Sequence, residues 1–186
     1  MSTDILIPMA DHIALAAARA KEGRALPNPF NQDIKALFDR EYQAALKGRE
    51  IIYQMTGVYM PEDEVGYIAI HIHAGLSEEN VAQAMDMARL VQDSVALIER
   101  DMKVGLKADS LGHNRLVSHL RYMIARSRKG EKLNLDMEAY AREQFPGPYA
   151  TALSVCRYME QQMGTKVAPQ EAGFLAIHIQ RVIQGE

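Results

Sequence analysis

The sequence predicts an all-α protein made of two tandem, homologous helical bundles joined by a linker. Three observations lead there. Apolar residues recur at helical spacing along most of the chain. Glycine and proline fall between those stretches, where helices stop and start. And the chain repeats itself: EVGYIAIHI at 64–72 returns as EAGFLAIHI at 171–179, which places His71 on His178, 107 positions on (178 − 71). The same shift carries His12 onto His119 without a gap, together with Arg19 onto Arg126, Gly23 onto Gly130, Tyr42 onto Tyr149 and Gly57 onto Gly164. An ungapped register that joins two separate histidine positions and two glycine positions marks a duplication, and a unit of roughly 75 residues is in the range where small helical domains fold.

The elements follow in order. ILIPMADHIALAAARAK (5–21) is the first helix, with Ile5, Met9, Ile13 and Ala16 on one side and Gly23 as its stop; HNRLVSHLRYMIARSRK repeats it with Leu116, Leu120, Met123 and Ile124 inward and Gly130 as the stop. The second lies in NPFNQDIKALFDREYQAAL, with Asn28 as N-cap and Pro29 at the first helical position, and LDMEAYAREQF is its counterpart. Residues 39–56 and 147–163 are the third helical regions, ending at Gly57 and Gly164. Pro61 with Glu62, Asp63 and Glu64, and Pro169 with Gln170 and Glu171, open the fourth helices, which carry the repeated histidine motif. The β-branched content of VGYIAIHI makes a strand the competing reading; the proline-plus-acid opening and the helical neighbours favour helix. A long helix with Val81, Met85, Ala88, Val91, Val95 and Ile98 in phase completes copy one, and copy two shows no equivalent before Glu186. KVGLKADSLG, with Gly105 and Gly112, reads as linker. The expected domains are therefore 1–104, a linker at 105–112, and 113–186.

Apolar residues make up 48% and charged residues 24%, a globular composition, and a formal charge of −3 speaks against a general polyanion binder. Cys156 is the only cysteine, so no intrachain disulfide forms and a reducing cytoplasm is expected. Asp4 follows Met1 closely, no signal peptide is expected, and no uninterrupted apolar run of about 18 residues is present to enter a membrane.

The candidate functional residues are the histidines. His12 and His71, with their twins His119 and His178, would meet if the fourth helix packs on the first. A half-buried imidazole bonded to the backbone is the ordinary reading of one histidine on an amphipathic helix. Retention of two such positions through a duplication that changed much else argues for more. His73 aligns with Gln180 and lies on another helix face from His71, which suggests a surface or interface residue; His113 aligns with Leu6 at a helix start, a structural position.

Metal binding would need three or four ligands at spacings such as HExxH, which are missing, so no metal or cofactor is expected. Glu64 and Glu171, two turns before His71 and His178, keep a helical metal- or ligand-binding protein as an alternative. No GxSxG or Gly-rich phosphate loop points to catalysis. Acceptance of a phosphoryl group suits an imidazole whose ordinary pKa near ~6.5 leaves it largely deprotonated at neutral pH. Arg19 and Arg126 could stabilise such a phosphate, or form a helix-surface salt bridge. Arg115, Arg121, Arg126, Arg128, Lys129 and Lys132 give the second copy's first helix a basic bias, a solvated face or a docking face for an acidic or phosphorylated partner.

Together, PMADHIALA around His12, DEVGYIAIHIHA around His71, NRLVSHLRYMIAR around His119 and EAGFLAIHIQ around His178 resemble tandem PTS regulation domains (PRDs). These are the regulatory units of bacterial antiterminators of the beta-glucoside and sucrose operon type and of related sugar-operon activators. The resemblance implies a compact bundle of about five helices per module and a non-enzymatic sensor of sugar uptake, with His12 and His71 as phosphoacceptors of the first PRD and His119 and His178 of the second. It also implies phosphocarrier HPr and the IIB unit of a sugar permease as donors, and a homodimer whose state follows phosphorylation. Antiterminators of this type carry an RNA-binding domain ahead of the first PRD; Met1 stands only a few residues before the first helix, so RNA binding belongs to the parent protein.

Overall fold

The computed structural model describes residues 5–24, 26–108, 110–131 and 133–185. Among them are nine helices and no strand: α1 Leu6–Lys21, α2 Asn31–Leu37, α3 Asp39–Thr56, α4 Glu62–Leu76, α5 Val81–Met102, α6 Leu111–Lys129, α7 Glu138–Gln144, α8 Pro146–Met163 and α9 Gln170–Ile183. VGYIAIHI is helical within α4, whose first turn holds Glu62, Asp63 and Glu64 against the positive end of the helix dipole. No helix among the described residues is long and apolar enough to cross a membrane. Lys132 of the basic stretch lies outside the described residues.

Packing divides the chain into two units, Met1–Ala88 and Arg89–Glu186. Shifting α2 and α3 by 107 positions reproduces the bounds of α7 and α8 residue for residue, and α4 and α9 end at matching positions. The packing is duplicated as well. In the first unit α4 lies against α1, α2 and α3, and α2 against α3; in the second α9 lies against α6, α7 and α8, and α7 against α8. The helix bearing the second histidine of each pair is thus the centre of its bundle. Gly57 and Gly164 close α3 and α8 at φ 70° and 67°, a left-handed conformation that spares the Cβ clash other residues would suffer.

The long helix α5 spans the division between the units. Its residues from Arg89 onward are held within the second: Tyr158 Oη bonds Asp93 Oδ2, Arg89 Nη1 donates to Gln162 Oε1 at 3.4 Å, and Thr151 Oγ1 donates to Met102 Sδ at 3.4 Å.

One expectation needs correcting. Asn28 does not cap α2, which starts at Asn31; its Oδ1 accepts from Phe30 N at 3.1 Å and its carbonyl from Asn31 N at 3.2 Å. Asn-Pro here builds an Asx turn one step before the helix, because the asparagine side chain reaches the backbone two residues on. The first helices also differ in depth. α6 buries Leu116, Leu120, Met123 and Ile124 as expected, whereas on α1 only Ala16 is fully buried, Ile5, Met9 and Ile13 are part-exposed, and Ile7 and Leu15 are 72% and 61% exposed.

Gly66 and Gly173 hold the same position in the two copies, on the face where α4 and α9 meet α2 and α7. A Cβ on Gly173 would sit 2.8 Å from Glu138 N and 2.8 Å from Met137 C; on Gly66 it would meet the side chains of Asn31 and Asn28. Gly173→Ala should therefore lower stability by about 1–3 kcal/mol, because backbone must move. Gly66→Ala should cost less, since the amides can swing at the expense of the 3.2 Å Asn31–Tyr42 hydrogen bond. Urea unfolding of the two variants checks this; a Gly173→Ala protein as stable as wild type would show that α7 and α9 separate freely.

Candidate functional site

The α1–α4 and α6–α9 contacts bring each predicted histidine pair together. His12 and His71 have ring centroids 4.9 Å apart at 37°, with the Tyr67 ring 5.8 Å from His12. His119 and His178 stack at 4.3 Å and 27°. All four are part-exposed. The sites are laid between helix faces, where a side chain added to one imidazole presses on both helices.

Electrostatically the four agree in sign. Burial pushes His12 below its ordinary pKa, opposed by the charge of Glu64. Burial, then the charge of His12, lowers His71. His119 is pushed down to about 3 by burial, with His178 and Arg126 adding to it. His178 is lowered by burial and by Arg181 and Arg115. Each ring is thereby kept neutral at physiological pH, with a lone pair on one nitrogen, the form in which imidazole is a nucleophile.

Below each pair lies a carboxylate–arginine lock. Glu64 and Glu171 are 1% exposed. Arg126 grips Glu171 through two bonds, Nε to Oε1 at 2.8 Å and Nη2 to Oε2 at 2.9 Å. Arg19 binds only Oε1 of Glu64, at 2.8 Å from Nη2 and 3.3 Å from Nε. That leaves Oε2 facing His12 Nε2 at 3.3 Å, close but misaligned for a hydrogen bond. His119 Nε2 is buried with no hydrogen-bond partner among the described residues. The two arginines are thus engaged by carboxylates across the first and fourth helices. A salt bridge is one of the two readings the sequence offers for these arginines, but its acceptors are buried carboxylates rather than surface ones, each 45 residues from its arginine in both copies.

His73 does not join the pairs, and it is not a surface residue. It is 5% exposed, with Nδ1 3.1 Å from Glu41 Oε1, Nε2 3.2 Å from Glu79 Oε2, and its ring 4.2 Å from that of Phe38. The face next to His71's turns inward here because Phe38, α3 and the turn at Glu79 cover it, which no local pattern reveals. His113 is buried near the start of α6, where its N–H donates to Ser110 Oγ at 3.2 Å, as suits a structural position.

No group of three or more His, Cys, Asp or Glu among the described residues is arranged to hold a metal ion. Burial, then Glu171 and Glu160, pushes the Cys156 thiol up to about 12, so it is no nucleophile at neutral pH.

Comparison with known proteins bears on both copies. The PRD domain model matches residues 1–75 and again 92–182. The chain is similar to Protein GlcT of Staphylococcus saprophyticus, 34% identical over 178 residues, covering 94% of this chain and 63% of that protein. It is similar to the GlcA/glcB genes antiterminator of Staphylococcus carnosus, 27% identical, covering 97% and 64%. It is similar also to the PtsGHI operon antiterminator of Bacillus subtilis, 29% identical, covering 91% and 61%. The chain thus spans a little under two thirds of the length of these relatives.

Proposed function

The chain belongs to the PRD domain family, and from that membership we propose that it is the regulatory region of a sugar-operon transcriptional antiterminator, switched by phosphorylation of His12, His71, His119 and His178. The donors are phosphocarrier HPr and a sugar-specific enzyme IIB, and the phosphorylated forms redistribute a homodimer between inactive and active states. Contact with RNA is assigned to a part of the whole protein outside these two modules. The observation that carries the reading is the twinned geometry: two near-contact imidazole pairs, each held neutral between the first and fourth helix of its bundle. A phosphoryl group adds roughly two negative charges to such a seam. Helices packed across it must then adjust, and a change in local chemistry becomes a change in bundle surface.

Incubation with phosphoenolpyruvate, enzyme I, HPr and a cognate IIB should give acid-labile phosphate on the protein and a shifted monomer–dimer balance in sedimentation. Absence of label, or label that survives replacement of all four paired histidines, would sink the proposal.

A further inference from the structure

The surfaces beside the two histidine pairs are chemically opposite. In the second unit His119 and His178 open onto a groove also lined by Asn114, Arg115, Ser118 and Tyr122. A neighbouring groove shares Arg115 and is bordered by Arg181 and Lys107. Arg115 precedes His119 by four residues on α6 and Arg181 follows His178 by three on α9, spacings at which helix side chains share a face. Both arginines are exposed, both lower the pKa of His178 by their charge, and no carboxylate lines either groove among the described residues. Moved back by 107 positions, Asn114, Arg115, Ser118, Tyr122 and Arg181 become Ile7, Pro8, Asp11, Leu15 and Ala74. α1 packs on α4 as α6 does on α9, and the side chains at these positions differ: two cations and polar groups in one copy, apolar groups and one acid in the other.

We propose that Arg115 and Arg181 form an anion clamp for the phosphoryl group carried by His178, and that the first unit has none. The inference rests on the phosphoacceptor reading above. In the transfer, an imidazole lone pair of His178 attacks the phosphorus of the donor's phosphohistidine or phosphocysteine. The new N–P bond forms as the donor's P–N or P–S bond breaks, and the donor leaves with the bonding pair as imidazole or thiolate. The other ring nitrogen of His178 keeps its proton, and nothing is oxidised or reduced. Two guanidinium groups suit the resulting dianion because each offers several N–H donors in a plane. In the first unit Asp11 would repel the same group.

The test compares the wild type with the double variant Arg115→Gln/Arg181→Gln, whose replaced side chains are exposed and leave the core intact. Orthophosphate is titrated at low ionic strength while the histidine ring signals are followed by NMR. His178 should shift and saturate in the wild type, the apparent affinity should fall about tenfold or more in the variant, as loss of charge-assisted bonds implies, and His12 and His71 should stay unmoved. A wild-type His178 that ignores phosphate, or an equal response in the variant, overturns the clamp. In a second arm both proteins are phosphorylated enzymatically and the label is mapped by peptide. Label at His178 should drop about tenfold in the variant with His12 and His71 unchanged, by the same loss of charge-assisted bonds. Equal labelling of His178 overturns the clamp and leaves the phosphoacceptor reading standing. A wild type that takes no label defeats that reading, and the orthophosphate titration then decides the anion site by itself.

Discussion

Replacing Arg126 by methionine should lower the free energy of unfolding by about 3 kcal/mol, the low end for breaking a buried ion pair, because Arg126 keeps 22% of its side chain exposed. Methionine retains the stem that packs along α6 and removes both bonds to Glu171. What remains is a carboxylate with 1% exposure and no opposite charge, at the joint between α6 and α9. Glu171→Gln should cost less, because the amide oxygen still accepts from the guanidinium and the part-exposed arginine can turn to water. The double variant Arg126→Met/Glu171→Met should recover part of the loss, since the expensive species is the unpaired buried charge rather than the missing bridge. Urea unfolding of the wild type, Arg126→Met, Glu171→Met and the double variant closes the cycle. Additive losses would mean that the two side chains stabilise the bundle separately and that the 2.8 Å contact contributes little.

Stability should fall steeply between pH 7 and pH 5. All four paired histidines have folded-state pKa values below the ordinary one. Below about 6.5 the unfolded chain therefore binds protons that the folded chain does not. The stabilisation is fully present above the unfolded pKa and is lost as pH falls toward the folded value, which for His119 is about 3. At pH 5 His119 alone should account for about 2 kcal/mol, 1.5 pH steps at 1.36 kcal/mol each. The measurement is the slope of unfolding free energy against pH, compared with His119→Asn. The variant should be flatter whatever its absolute stability. An unchanged slope would show that His119 takes up its proton without leaving its pocket.

Much of this molecule was legible because it was written twice. A single copy of VGYIAIHI is ambiguous between strand and helix; two copies, each behind a proline and an acid, are not. The offset also selected His71 over His73, two residues away, and named the four imidazoles that α1–α4 and α6–α9 packing brings into pairs. What stayed hidden depends on neighbours distant in sequence. Nothing around His73 reports that Glu41 and Glu79 will close on its two nitrogens, 32 residues before and 6 after it. The apolar spacing of α1 fits that of α6, yet spacing says nothing of how much partner surface there is to cover Ile7 and Leu15. Gly66 and Gly173 sat inside the repeated motif without drawing notice, because a glycine kept for close approach leaves no chemical trace of its own.

The residue-for-residue agreement of α2–α3 with α7–α8 makes the two copies compatible for recombination. A chimera that exchanges residues 31–56 for 138–163 keeps every helix length and the non-glycine break at Phe38 or Phe145. It also returns each transplanted segment to a partner of the same backbone course. Each copy thus serves as a naturally occurring set of multiple substitutions in the other, so differences such as Asp33 against Tyr140 can be assigned to side chains without a change of helix bounds.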